Sequence, residues 1–179
     1  MNSNSISMNI GVTTPTEDTD PLVQYPNISE SEAARLEWHV LGTLQVHLDG
    51  ELLTDSPFSV EGQIHDYVWQ LLMEFHSALR RLLQGENVEV TLLDNPGKLT
   101  IVSQADAAII SFDPESSGIS HSGTVSISAF AHTLLEATES VEKQLLSLNS
   151  NLENSVLITE LRSESSATKA ALDARGYTK

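Results

Sequence analysis

The sequence predicts an α+β fold, an antiparallel sheet of about five to six strands with two main helices packed on one face. Three observations carry this. Short stretches alternate apolar and polar residues with a period of two, two longer stretches repeat at helical spacing, and the order is two strands, a helix, four strands, a helix. A parallel sheet would need strands and helices to alternate, and they do not.

Residues 1–30 read as a flexible N-terminal arm. They hold turn formers and polar residues, ending in Pro-Leu-Val-Gln-Tyr-Pro-Asn, and the composition predicts that 1–28 are dispensable for folding. Residues 31–150 form the single α+β domain, and residues 151–179 form a partly helical C-terminal extension. Between Leu36 and Leu48 the even positions are Leu36, Trp38, Val40, Gly42, Leu44, Val46 and Leu48, which is the apolar face of a half-buried strand. Asp49-Gly50 turns the chain. A two-residue loop would set Leu48 opposite Glu51. A three-residue loop, Leu48 to Gly50, sets Val46 opposite Leu52 and keeps the acid outside, so the longer loop is expected.

Ser56-Pro57 or Ser59 then opens a long helix whose apolar set is Val60, Ile64, Tyr67, Val68, Leu71, Leu72, Phe75, Leu79 and Leu82, ending at Gly85. Strands follow at Val88–Leu92, Leu99–Ser103 and Ala107–Phe112, then a mobile loop from Asp113 to Gly123 and a last strand, Thr124–Ser128. Ser128 caps a second helix with the stripe Phe130, Leu134, Ala137, Val141, Leu145 and Leu148, broken at Asn149-Ser150-Asn151. Val156–Leu161 fits strand or helix, and Ala167–Arg175 reads as a short polar helix stopped by Gly176. Leu44, Val46, Leu71, Phe75, Ile109, Val125 and Leu134 are expected in one core.

Chemistry-bearing motifs are scarce. There is no cysteine, no Gly-rich phosphate loop, no nucleophile elbow and no HExxH, so the chain reads as non-catalytic with no cofactor or metal. His39 and His47 lie roughly 27 Å apart if both are on one strand. His65 and His76 lie about 16 Å apart if both are on the long helix. Neither pair could share an ion. No apolar run approaches the roughly 18 residues that mark a membrane-spanning helix, and the cytosol is the default compartment.

Charge is more informative. The net charge is −16, and between Arg35 and Arg80 seven acids occur with no Lys or Arg. Nucleic acid and anionic membranes are repelled by such a surface, whereas a basic protein is steered toward it. Acidity that only keeps the protein soluble, or that reflects a salt-adapted proteome, is the competing explanation. On the long helix, Trp69, Met73, His76 and Arg80 form a second stripe opposite Val60 and Ile64. With the carboxylates Glu51, Asp55, Asp66 and Glu74, the residues Trp69, Met73 and His76 make the expected partner-binding face. The alternative is that residues 150–162 of the same chain cover Trp69.

The stretch Leu36-Glu37-Trp38-His39-Val40-Leu41-Gly42, continuing to Val46-His47-Leu48-Asp49-Gly50, then the amphipathic helix and the strands Leu99–Val102 and Ala107–Phe112, resembles the layout of small acidic immunity proteins of bacterial toxin/immunity systems. That resemblance implies a cytosolic inhibitor whose acidic surface plugs a basic toxin or effector domain. A secretion-type chaperone, normally a homodimer, and a small-ligand-binding module or enzyme are the other two classes.

Overall fold

In this computed structural model, which describes residues 5–55, 59–114 and 121–177, the α+β class with antiparallel pairing stands. The single sheet is replaced by two sheets of four strands. The first joins β1 (Ile6–Val12), β2 (Leu41–Leu48), β3 (Glu51–Leu52) and β4 (Ile64–Tyr67), with β1 and β4 both pairing β2. Before β2, the chain makes two single-turn helices, α1 (Pro21–Gln24) and α2 (Glu30–Ala33). Helix α3 (Val68–Leu82) leads to the second sheet, β5 (Val88–Thr91), β6 (Lys98–Gln104), β7 (Ala107–Asp113) and β8 (His121–Ser126), a meander in chain order. Two long helices close the fold, α4 (Ile127–Leu148) and α5 (Val156–Ala174).

Of the arm expected over residues 1–30, the part from Ser5 onward is not free. Ile6 to Val12 pair with β2 in seven consecutive residue pairs, with Met8 and Ile10 buried and Ile6 and Val12 packed against the core. The signal was an alternation, Ile6, Met8, Ile10, Val12, diluted by Ser, Asn and Gly. As an edge strand β1 is covered by α4, as exposed edges commonly are. The Thr133 hydroxyl donates to Ile6 O at 3.2 Å, Gln144 Nε2 donates to Ile10 O at 3.2 Å, and Val12 N donates to Gln144 Oε1 at 2.8 Å. Further on, Leu22 is fully buried, and Asn149 Nδ2 reaches the carbonyls of Leu22, Val23 and Tyr25 at 2.8–3.1 Å. Gly42 is where β1 crosses closest. A Cβ there would stand 2.0 Å from Gly11 O and 2.8 Å from Val68 Cγ1.

Leu36–His39 is a 3-10 turn rather than the start of β2, so Trp38 leaves the apolar face and is 45% exposed. The loop after β2 has two residues. Leu48 pairs with Glu51, and Asp49 and Gly50 both have positive φ, 53° and 83°, the backbone twist that two-residue hairpin loops favour. The parity problem that favoured the longer loop is solved downstream instead. Val46 O accepts from Leu53 N at 2.8 Å while Val46 N donates to Thr54 Oγ1 at 3.1 Å, which returns Leu53 to the core. Glu51, beside the turn, stays exposed.

The long helix starts at Val68, not near residue 59. Val60 sits at a tight turn, bonded both ways to Gln63 and 62% exposed, with Glu61 and Gly62 left-handed at φ 53° and 75°. Ile64 to Tyr67 then form β4, whose inward residues are Ile64 and Asp66. An acid at the inward position hid the strand period, and the apolar spacing that remained fitted a helix. The expected start at Ser56-Pro57 lies outside the described residues, as do 115–120 of the expected mobile loop.

Ser126, not Ser128, caps α4, its hydroxyl accepting from Ala129 N at 3.1 Å. Ile110 rather than Ile109 faces the core, because β7 buries Ala108, Ile110 and Phe112. Leu44, Val46, Leu71, Phe75, Val125 and Leu134 are buried as expected. The ambiguous 151–179 segment is a short 3-10 turn, Ser150–Asn154, and one continuous 19-residue helix, α5. Helix α3 touches strands of both sheets and both long helices, so one apolar core runs through the molecule around it.

Candidate protein-binding face

The seven expected partner-binding residues do not share a surface. Glu51, Asp55 and Glu74 are exposed, Trp69 and Met73 are half-buried, and Asp66 and His76 are buried. Helix α5 is the reason. It lies along the flank of α3 that carries Trp69, Met73, His76 and Arg80. Trp69 Nε1 donates to Leu157 O at 3.3 Å, Arg80 Nη1 reaches Glu164 Oε2 at 2.6 Å, and His76 Nδ1 lies 2.8 Å from Thr168 Oγ1. What remains between the helices is a shallow groove of about 420 Å³ lined by Trp69, Met73 and Arg80 with Glu160 and Glu164. The chain therefore covers its own stripe.

His76 is a structural pin joining three helices. Its Nε2 lies 2.9 Å from Thr138 Oγ1 on α4, and the Thr138 hydroxyl donates to Leu134 O at 2.8 Å. With that proton committed, Nε2 must be the donor to Thr138, and Nδ1 accepts from the Thr168 hydroxyl, which in turn accepts from Arg80 Nη1 at 3.3 Å. The network is complete only for neutral imidazole. Burial, reinforced by the Arg80 charge and opposed by Glu164, pulls the imidazole down to about 4 from an ordinary 6.5. Because the folded value is depressed, the unfolded chain binds the extra proton between these limits. This contribution is complete above pH 6.5 and is lost as pH falls toward 4. The shift corresponds to about 3 kcal/mol. Urea unfolding of the native chain and of His76→Gln across that window should show a steeper acid loss in the native chain. Parallel pH profiles would contradict the assignment.

Asp66 also serves the fold. Oδ2 accepts from Leu93 N at 2.9 Å and from Asp94 N at 3.3 Å, and Oδ1 accepts from Tyr67 N at 2.7 Å. It thereby ties β4 of the first sheet to the β5–β6 turn of the second. Burial pushes its carboxyl up from the ordinary range, and the N–H groups of Tyr67, Asp94 and Leu93 oppose that rise.

The outward-facing apolar residues lie elsewhere. Trp38 and Leu41 are each 45% exposed and Leu93 is 51% exposed. Leu41 is the cross-strand partner of Tyr67, and the Trp38 and Tyr67 rings meet edge to face with centroids 5.5 Å apart. Trp38, Leu41 and Tyr67 therefore meet where the 3-10 turn, the start of β2 and the end of β4 adjoin, while Leu93, Val60 and Val156 are exposed at other points of the chain. The sequence held one clue, Leu41 as the single large apolar residue on the outer face of β2. Trp38 was hidden because the alternation assigned it to the core.

Residues 1–79, which build the whole first sheet, carry Glu17, Asp18, Asp20, Glu30, Glu32, Glu37, Asp49, Glu51, Asp55, Glu61, Asp66 and Glu74 against Arg35 alone. Helices α4 and α5 carry Lys143, Arg162 and Lys169, and carboxylates answer the first two. Arg162 bridges Glu142 at 2.6 Å and Glu153 at 2.8 Å, and Lys143 pairs with Glu139 at 2.6 Å. Among the described residues, no group of three His, Asp or Glu side chains could hold a metal ion, and no helix is long and apolar enough to cross a membrane. The chain matches no protein-family model, no curated protein and no solved structure.

Proposed function

We propose that this chain is a non-catalytic protein-binding module of the inhibitor type, neutralising a basic toxin or effector domain through its acid-rich residues 1–79. The observation that carries this reading is the charge partition, twelve acids against one base in residues 1–79. A strongly negative charge balance raises the encounter rate with a positively charged partner and rejects nucleic acid and anionic lipid. The buried titratable groups are engaged in structural hydrogen bonds. His76 joins three helices and Asp66 joins two sheets, so both serve the fold.

Affinity capture from the cells that make the protein, in dilute buffer and in roughly 1 M salt, where the screening length is about 3 Å, tests the reading. The expected result is a basic protein retained at low salt and released at high salt. A neutral or acidic protein held through high salt, or a tightly bound metabolite, would contradict it.

A further inference from the structure

Resting on that reading, we infer that the outward-facing cluster of Trp38, Leu41 and Tyr67 is the centre of the contact, and that it receives an arginine-bearing surface of the partner. The cluster combines what a guanidinium needs. Trp38 offers a half-exposed indole held by its edge-to-face contact with Tyr67, so little side-chain freedom is lost when a cation stacks on it. Leu41, the cross-strand partner of Tyr67, extends the apolar floor.

A carboxylate adjoins it: Glu37 directly precedes Trp38 in the 3-10 turn. An apolar centre with a charged rim is the usual anatomy of a protein contact, and Trp and Tyr are the anchors most often found in one. Arginine fits better than lysine, because its planar, weakly hydrated guanidinium stacks on an aromatic face while its remaining N–H groups reach carboxylates.

A second copy of this chain is the wrong occupant. A two-fold contact would set the same acidic rim against itself, at a net charge of −16 per copy. Nucleic acid and anionic lipid fail for the same electrostatic reason.

The test is an NMR titration of the full chain with a short blocked oligo-arginine peptide, an oligo-lysine of equal length and the neutral citrulline analogue. The chain has two tryptophans, so two indole N–H signals report. The expected result is saturable movement of the Trp38 indole signal and of the Leu41 and Tyr67 amides, larger for arginine than for lysine and absent for citrulline. The Trp69 signal, bonded to Leu157 O, should stay still. Trp38→Ala should weaken arginine-peptide binding by about 2- to 5-fold, the range of an exposed cation–π contact. Arginine binding that moves other acidic regions and leaves Trp38 unmoved would overturn this assignment while sparing the proposed function. No binding of either cationic peptide would remove both.

Discussion

Removing residues 1–12 should leave a chain that no longer unfolds cooperatively near the native temperature. The segment reads as a dispensable arm by composition, yet it supplies Met8 and Ile10, each at most 7% exposed, and the ladder partner for the whole length of β2. Burying two such side chains is worth about 3–6 kcal/mol. That is a large share of the roughly 5–15 kcal/mol by which a domain is stable. The truncation also leaves the Gln144 and Thr133 side chains without their backbone partners, and exposes Leu44 and Val46 next to a new sheet edge. Thermal unfolding followed by circular dichroism measures it. An unchanged melting temperature would mean that β1 does not contribute to the folded state.

Phe75→Ala should cost about 3–5 kcal/mol, the range for emptying a large aromatic site in a close-packed interior. Phe75 is 1% exposed on α3 and meets Phe130 of α4 edge to face, with ring centroids 6.3 Å apart. Because α3 is the element that both sheets and both long helices share, the cavity would open where no single neighbour can collapse to fill it. Chemical denaturation with the slope held constant reads the loss. A change below about 1 kcal/mol would show that Phe75 is not central to the core.

What could be read from the sequence follows from how each residue's burial is decided. The second sheet was legible because Val88, Val90, Leu99, Ile101 and Phe112 alternate with polar partners and face one side only. Helices α3 and α4 were legible in their apolar repeats. The first sheet was harder, for two local reasons. β1 alternates correctly but with Ser and Asn as its outer residues, so composition outweighed period. β4 carries Asp66 inward, where its carboxylate meets the Leu93, Asp94 and Tyr67 N–H groups, partners that no local pattern announces.

The candidate face was lost to a single long-range fact. α5 packs along α3 through Leu157, Glu164 and Thr168, residues some ninety positions away from the helix they cover. Hydrophobic spacing marks a stripe as apolar without saying whether the chain itself or another molecule covers it. Trp38 escaped for the converse reason, since one 3-10 turn rotated it out of a face to which the alternation assigned it.

Docking of a basic protein on the acid-rich residues 1–79 makes its sharpest prediction in association kinetics. The association rate with the captured basic partner should fall steeply as salt is added, because steering acts over the screening length. Reversing the exposed acids Glu51, Asp55 and Glu61 to lysine should lower that rate in dilute buffer and flatten its dependence on salt, with dissociation little changed. An association rate indifferent to salt in the native chain, or one that the reversed chain reproduces, would contradict the account.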